Sequence, residues 1–198
     1  KYIALSNESS ANEPTVPDTE VNHQYSKSIA FENDFRNYVN EYISSDIQYF
    51  SFLRPINELQ IASLFAKNKD YYKVFKSCNA GSNTDSWCGK CPKCLFTYII
   101  MSPFISEEEL KDIFGKNLLN DNDLLPILKQ LKGEAEVKPF ECVGTIEEVN
   151  ACIEFSQKAK DERQKSFLME SLLNQYDENN NLPKHFEAIL KDNLFKNN

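Results

Sequence analysis

The apolar positions in the first third of the chain alternate between strand-like runs and helical stripes. Residues 2–5 (YIAL) predict a short buried strand, which a long polar loop follows. Apolar and aromatic residues at helical spacing predict an amphipathic helix over 28–42. The run 47–53 (IQYFSFL) is typical of a strand covered on both faces, and Asn57 is placed to cap a helix that reaches Phe65. This order of elements is that of a parallel α/β sheet.

From residue 92 onward the apolar spacing is helical almost throughout. Pro92 stands where a first helical turn tolerates proline. Two of the predicted helices begin with a capping box, Ser106 with Glu109 and Thr145 with Glu148. The predicted helices cover 92–101, 106–115, 123–131, 145–155, 167–176 and 186–195.

Four of the six cysteines stand within seventeen residues, in the spacing C-x9-C-x2-C-x2-C. Thiols two residues apart aim their sulfurs at one point about 2.3 Å away, which suits a tetrahedral ion. Four thiolates fill the coordination shell, so a structural zinc is predicted rather than a catalytic one. Disulfides or unpaired core cysteines are the alternatives, but the sequence does not resemble a compact secreted scaffold. The predicted ligands are Cys78, Cys88, Cys91 and Cys94.

Composition and charge exclude several classes of function. With 198 residues, 41% of them hydrophobic, the chain can bury one sizeable core or two small ones. Its formal charge of −8, without a basic stretch, argues against a nonspecific nucleic-acid binder. No apolar run approaches the roughly 18 residues of a membrane span. A soluble, cytoplasmic protein is therefore expected.

The polar loop over 6–28 concentrates groups that bind ligands. In open α/β sheets, ligands bind in the crevice at the carboxyl ends of the strands. The helix that follows Lys27 can hold a phosphate or carboxylate at its first amides. His23 can titrate near neutrality, although a histidine satisfied by a loop carbonyl, in an ordinary polar loop, is the alternative. The candidate substrate- or nucleotide-binding residues here are Asn7, Glu8, Asn12, Asn22, Gln24 and Ser26.

Two further residues lie outside that loop. Arg54 follows a predicted strand and can reach a phosphate with two hydrogen bonds, whereas a salt bridge to the acidic surface is the alternative. Cys142, in the stretch KPFECVGT, is a candidate reactive thiol, although free cysteines are more often buried apolar residues. Cys152 lies on an apolar helical face and is expected in the core.

Five ordered blocks over most of residues 1–155 resemble the ATP-dependent UDP-N-acetylmuramoyl-L-alanyl-L-glutamate epimerases. They are SNESSAN, VNHQYSKS, YFSFLRPINELQIASLF, SCN with WCGKCPKC, and KPFECVGTIEEV. More distantly, the SC and CGxCxxC segments are similar to the end of 7-cyano-7-deazaguanine synthases, which are PP-loop ATP pyrophosphatases with a four-cysteine zinc. Those enzymes usually carry a lysine where this helix has apolar Ile61 nearby.

The resemblance implies a fold. Residues 1–102 would be the later part of a doubly wound, parallel-sheet, PP-loop-like α/β domain that includes the zinc loop 78–94. Residues 103–198 would form a mainly helical C-terminal region. PP-loop enzymes bind pyrophosphate with an SGGxDS-type loop, and this sequence has none among its five glycines. The chain is therefore expected to be the C-terminal portion of the enzyme, inactive without an upstream PP-loop segment of the same protein.

The resemblance also implies a reaction. Such an enzyme converts the terminal L-glutamate of UDP-MurNAc-L-Ala-L-Glu to D-glutamate during peptidoglycan precursor synthesis, using ATP and Mg²⁺ through an acyl-adenylate. Inversion requires a proton to leave one face of Cα and another to arrive on the opposite face. The catalytic candidates are His23, Lys27, Tyr25 and Cys142.

Two other functions remain open from the sequence. The first is a self-standing, zinc-stabilised module that holds a protein partner on an acidic helical surface. The second keeps PP-loop ATP pyrophosphatase chemistry but acts on a nucleobase-type substrate. A PP-loop segment encoded directly upstream would favour an enzyme over the binding module.

Overall fold

The computed structural model describes residues 1–157 and 167–195. Within these ranges the chain forms two short strands and eight α-helices, joined by 3₁₀ turns and one π-helical turn. The strands are β1, Tyr2–Leu5, and β2, Gln48–Ser51. The helices are α1 Ile29–Tyr38, α2 Glu58–Phe65, α3 Pro92–Met101, α4 Glu107–Phe114, α5 Leu125–Leu131, α6 Ile146–Gln157, α7 Phe167–Leu173 and α8 Lys184–Phe195.

The two strands form a parallel pair, with Tyr2 opposite Gln48 and Leu5 opposite Ser51. Helix α1 connects them, as parallel neighbours require a crossover. The predicted order of strand, helix, strand and helix is therefore confirmed, and the chain is an α/β protein with a small parallel sheet. In the ranges described, the sheet has two strands, and the larger doubly wound, PP-loop-like sheet stays a prediction.

The prediction that both strands are buried is wrong. Tyr2 and Ile3 of β1 are 50% and 45% exposed, and β2 is shorter than the apolar run that predicted it. Phe50 is the strand residue that enters the core, where it packs on Phe186 of α8 with ring centroids 5.5 Å apart. A two-stranded sheet buries only what its neighbouring helices cover, and three consecutive residues of β1 are exposed.

The helix starts follow the sequence closely because they depend on local hydrogen bonds. The side chain of Asn57 accepts from the Gln60 amide in a full capping box at α2, and Ser106 and Glu109 form another at α4. Ser28 caps α1 by accepting from the Phe31 amide, but the α-helix ends at Tyr38 and continues as a π-helical turn, Val39–Ile43. The predicted helix over 28–42 is thus confirmed with a changed final turn.

Helix α3 lies at the centre of the larger hydrophobic core. Every residue from Cys94 to Met101 is buried, and α3 contacts α2, α4, α5 and α6. A smaller core lies under the sheet and is completed by α8. Its buried members are Phe50, Ile56, Leu182, Leu190 and Leu194. In the described ranges, no helix is long and apolar enough to cross a membrane.

A buried carboxylate joins three segments that are distant in sequence. Glu148, in the first turn of α6, is only 1% exposed. It accepts hydrogen bonds from the Leu59 amide at 2.9 Å, from the Ser10 hydroxyl at 2.9 Å, and from the Thr145 amide and hydroxyl at 2.7 and 2.9 Å. The capping box predicted from the sequence is therefore present, and the same carboxylate also holds the polar loop and the start of α2.

Replacement of Glu148 by alanine is expected to destabilise the protein by about 3 kcal/mol or more, because buried amide and hydroxyl donors lose their acceptor. The measurement is the free energy of unfolding from urea denaturation. Glu147, the exposed neighbour on the same helical turn, provides the control. Glu147→Ala should change stability by about 0.5 kcal/mol or less. Equal effects of the two substitutions would contradict the role assigned to Glu148.

Candidate functional site

The four predicted metal ligands converge in space. Their sulfurs all lie within 4.8 Å of one another. The Sγ–Sγ distances are 3.7 Å for Cys78 and Cys91, 3.7 Å for Cys88 and Cys94, and 3.5 Å for Cys91 and Cys94. Four sulfurs about 2.3 Å from a tetrahedral ion would be about 3.8 Å apart. All four are free thiols, so the disulfide alternative does not hold, and the cluster can hold a metal ion.

Local structure around the cysteines supports this geometry. The Gly81 amide donates to the Cys78 sulfur at 3.2 Å, and a Cβ at Gly81 would lie 1.8 Å from the Ser86 carbonyl oxygen, so only glycine fits that turn. Cys91 caps α3 and Cys94 lies in its first turn. Burial raises the pKa of Cys91 to about 11, and a cation among the sulfurs would offset that cost of ionisation.

The polar loop over 6–28 packs against residues 138–145, which we call the facing segment. The Lys27 ammonium donates to the Cys142 sulfur at 2.8 Å. Buried Lys138 forms an ion pair with Glu13 and donates to the Gly144 carbonyl at 2.8 Å. Two catalytic candidates separated by 115 positions in the sequence, Lys27 and Cys142, are thus in direct contact.

The cysteine cluster is connected to the facing segment. Lys93 lies between two of the cysteine ligands, and its ammonium is 3.8 Å from the Glu141 carboxylate. Glu141 directly precedes Cys142 in the sequence. The first turn of α3 therefore contacts the segment that carries the candidate thiol.

His23 is held at the rim of this contact. The Thr15 hydroxyl accepts from the His23 amide at 3.1 Å and lies 2.6 Å from the ring Nδ1. Because that oxygen already accepts a hydrogen bond, its own proton can be donated to Nδ1, which leaves the ring proton on Nε2. Partial burial lowers the pKa of His23, and the charges of Lys138 and Lys27 act in the same direction.

Arg54 is fully buried beneath the polar loop. Its guanidinium donates to the backbone carbonyls of Glu8, at 2.7 Å, and Lys27, and lies 3.4 Å from the Glu32 carboxylate. The salt-bridge alternative raised by the sequence is therefore present, although with a buried partner rather than with the surface. Arg54 holds the loop in shape here, and its binding of an anion stays a prediction.

The amide side chains predicted to bind ligand also shape the loop. Asn12 accepts from the Ile29 amide at 2.9 Å, and Asn22 accepts from the Gln24 amide and donates to the Ala11 carbonyl. Asn7 donates to the Ser51 hydroxyl at 3.1 Å. Gln24 is buried, whereas Tyr25 and Ser26 are exposed. The Tyr25 hydroxyl contacts the Asp34 carboxylate at 3.4 Å.

Two acidic residues, one in the polar loop and one at the start of α2, lie near enough for their charges to interact. Glu8 is held beside the start of α2 because Ser9 donates to the Ile56 carbonyl through its amide and hydroxyl, at 2.9 and 3.0 Å. Glu58 is the first residue of α2. Burial raises the pKa of both carboxyls, and for Glu58 the negative charges of Glu8 and Glu148 raise it further.

Comparison with known proteins identifies the family. Residues 74–187 match the family model described as the MurL C-terminal domain, and residues 1–52 match the MurL N-terminal domain. The chain belongs to the MurL family. The two family models leave residues 53–73 unmatched, and the predicted division at residue 102 stays a prediction.

Three curated relatives of this MurL-family chain are each named UDP-N-acetyl-alpha-D-muramoyl-L-alanyl-L-glutamate epimerase. The protein from Xanthomonas oryzae pv. oryzae is 42% identical over 150 residues, covering 72% of this chain and 33% of the relative. Those from a Micromonospora species and Salinispora tropica are 41% and 40% identical over 152 residues, covering 74% of this chain and 34% and 33% of the relatives. The chain therefore spans about a third of the length of these relatives. No solved structure matches it.

Several residues of the site were missed from the sequence. Glu58 follows a helix cap, where acidic residues are common because the positive end of the helix dipole stabilises them. Its position in the sequence therefore gave no indication of function. Lys138 and Glu13 are 125 positions apart, and nothing in the sequence pairs them. Glu148 had a detectable signal, the capping box with Thr145, but that motif does not reveal its contacts with Ser10 and Leu59.

His23 is expected to titrate below the usual histidine value of about 6.5 and to be neutral at pH 7, with its proton on Nε2. The physical reason is its partial burial beside Lys138 and Lys27. Long-range ¹H–¹⁵N correlation spectra recorded across a pH series report both the tautomer and the midpoint. The resonance is assigned by its loss in the His23→Gln variant. A midpoint above about 6.5, or a proton on Nδ1, would contradict the geometry.

Proposed function

We propose that the protein, at its full natural length, is an ATP-dependent epimerase that inverts the terminal L-glutamate of UDP-MurNAc-L-Ala-L-Glu. The observation that carries this proposal is the identity of 40–42%, over nearly three quarters of the chain, to three proteins named as this epimerase. The α/β part, residues 1–102, is proposed to belong to a PP-loop-like domain that binds ATP with Mg²⁺.

ATP has a clear chemical purpose in such a reaction. A glutamate carboxylate resists loss of its neighbouring Cα proton because the carbanion would add a second negative charge. Transfer of AMP from ATP to the carboxylate releases pyrophosphate and removes that charge. The acyl-adenylate then accepts the electron pair of the broken C–H bond into its carbonyl. Hydrolysis of the adenylate after inversion returns the free carboxylate and AMP.

Cys142 and Lys27 are the proton-transfer residues that the contacts favour. The ammonium donates a hydrogen bond to the sulfur at 2.8 Å, and a neighbouring cation stabilises the thiolate that removes a proton. Cys142 is partly exposed, so a substrate can reach its sulfur. The His23 amide and ring Nδ1 are both bound to the Thr15 hydroxyl, and the Tyr25 hydroxyl contacts Asp34. We therefore assign these two residues to shaping the loop and not to proton transfer.

The cysteine cluster is proposed to hold a structural zinc ion. Cys78, Cys88, Cys91 and Cys94 supply four sulfurs at tetrahedral spacing, which completes the shell without a position for substrate. The zinc would stabilise the loop before α3 and would take no part in proton transfer. Through Lys93 and Glu141, that loop supports the facing segment.

Replacement of Cys142 by serine or of Lys27 by methionine should lower the rate of epimerisation about 100-fold or more, because proton transfer loses its base or the cation beside it. Adenylation, measured as pyrophosphate release dependent on the muramoyl dipeptide, should persist in Cys142→Ser. Epimer formation is measured by chiral chromatography of the released glutamate. Lys129→Met, at an exposed lysine, is the control. Cys142→Ser with near wild-type epimerisation would remove the thiol from the mechanism.

Native mass spectrometry should show one zinc ion per chain, because four convergent thiolates satisfy one tetrahedral ion. Cys91→Ser removes a ligand whose sulfur lies near two of the others, and it should lose the metal together with the ordered structure of residues 78–94. Cys142→Ser, at a free thiol outside the cluster, should keep the metal. An iron–sulfur cluster, or full zinc content in Cys91→Ser, would contradict the assignment.

A further inference from the structure

Glu58, the first residue of α2, lies against the polar loop. The Glu58 amide donates to the Ser10 hydroxyl at 3.2 Å, which fixes the start of α2 against the polar loop. Within the described residues, no hydrogen-bond donor is recorded for the Glu58 carboxyl, whereas Glu148 nearby accepts from four donors. Glu58 is partly exposed. Its carboxyl therefore has no hydrogen-bond donor among the described residues and is accessible to a ligand.

The groups around Glu58 are both acidic and basic. Glu8 and Glu148 lie close enough for their negative charges to act on its carboxyl, and the Lys27 ammonium acts in the opposite sense. Burial is the largest influence, and together with the two carboxylates it holds the pKa of Glu58 well above the usual glutamate range. A carboxyl with a raised pKa keeps its proton to higher pH than an ordinary glutamate and can donate it.

Lys27 connects this carboxyl to Cys142. Its ammonium donates to the thiol sulfur at 2.8 Å, and its positive charge acts to lower the pKa of both Glu58 and Glu8. Cys142 comes from the facing segment and Glu58 from the start of α2, two separate elements that meet at Lys27. Inversion at carbon requires a base on one face of the carbon and an acid on the other, because one proton leaves and another arrives on the opposite side. Side chains from two separate elements can meet this requirement.

We propose that Glu58 is a catalytic acid–base residue that exchanges a proton with one face of the glutamyl Cα while Cys142 serves the other face. This inference rests on the epimerase function proposed above. Glu8 and Glu148 are positioning residues, since they act on the substrate only through Glu58.

The proposed step balances without another reactant. The Cys142 thiolate takes the Cα proton, and the C–H electron pair moves into the carbonyl of the acyl-adenylate. The enolate then takes the carboxyl proton of Glu58 on the opposite face, which re-forms a C–H bond with inverted configuration. The enzyme is left with a Cys142 thiol and a Glu58 carboxylate. Transfer of one proton between them, through Lys27 or solvent, restores the starting state, and the reverse order of steps serves the other epimer.

The test is Glu58→Gln in the full-length protein, assayed with ATP, Mg²⁺ and the UDP-linked muramoyl dipeptide in D₂O. Pyrophosphate release should stay within about threefold of wild type, whereas epimer formation should fall about 100-fold or more. Deuterium should still enter Cα of one epimer with retained configuration, because Cys142 remains able to exchange its proton. Cys142→Ser should exchange the opposite epimer.

Stability provides a second readout, which tests the raised pKa of Glu58. A carboxyl whose pKa is raised by folding favours the folded state in its protonated form, so that contribution is present at acidic pH and is lost as pH rises above the usual glutamate value. Glu58→Gln cannot ionise. Its melting temperature should exceed that of wild type by about 2–4 °C above neutral pH and approach it near pH 4.

Glu107→Gln is the matched control, because Glu107 is also the first residue of a helix with a capping box but is exposed and paired with Lys111. It should leave epimerisation unchanged. Wild-type rates of inversion in Glu58→Gln would overturn the role of Glu58 and leave the epimerase function intact. Loss of pyrophosphate release in Glu58→Gln would also overturn it, since the residue would then act in adenylation. A wild-type protein that neither releases pyrophosphate nor inverts the substrate would overturn the epimerase function itself.

Discussion

The buried carboxylate of Glu148 is the interaction on which the arrangement of the described structure depends. It takes hydrogen bonds from the polar loop, from the start of α2 and from the residue that caps α6. A charge removed from water is tolerated only when such donors surround it, so these three segments must keep their relative positions. Because the polar loop is held at Ser10, Lys27 further along the same loop can reach Cys142.

The same negative charge shapes the chemistry of its neighbours. Glu148 accepts four hydrogen bonds, whereas the described residues offer the partly exposed Glu58 carboxyl no such donors, and desolvation and the charges of Glu8 and Glu148 raise the pKa of Glu58. Cys152, on the same helix, has its pKa raised by burial first and by Glu148 second, as expected for an inert core thiol. The two carboxyls therefore differ because their surroundings differ.

The features that the sequence predicted well depend on near neighbours. The helix caps and the cysteine spacing are local, because each is contained in one short stretch of sequence. The caps are those at Asn57, Ser106 and Thr145. Exposure of β1 was not predictable, since an apolar strand looks the same whether or not other elements cover it. The contacts of Arg54 with Glu32 and of Lys27 with Cys142 depend on tertiary packing, which no periodicity encodes.

Precise placement of Cys142 requires a rigid facing segment, and the small sheet cannot supply that rigidity. Instead, the segment is trapped between two fixed groups: a Cβ at Gly144 would lie 2.8 Å from both the Glu148 carboxylate and the ring of Phe96 on α3. Helix α3 also carries Cys94, and its Lys93 contacts Glu141, the residue before Cys142. The cysteine cluster therefore sets the position of α3 and, through it, that of the Cys142 thiol. In the proposed mechanism the cluster would act on proton transfer only by positioning Cys142, since four sulfurs would fill the shell of a tetrahedral ion.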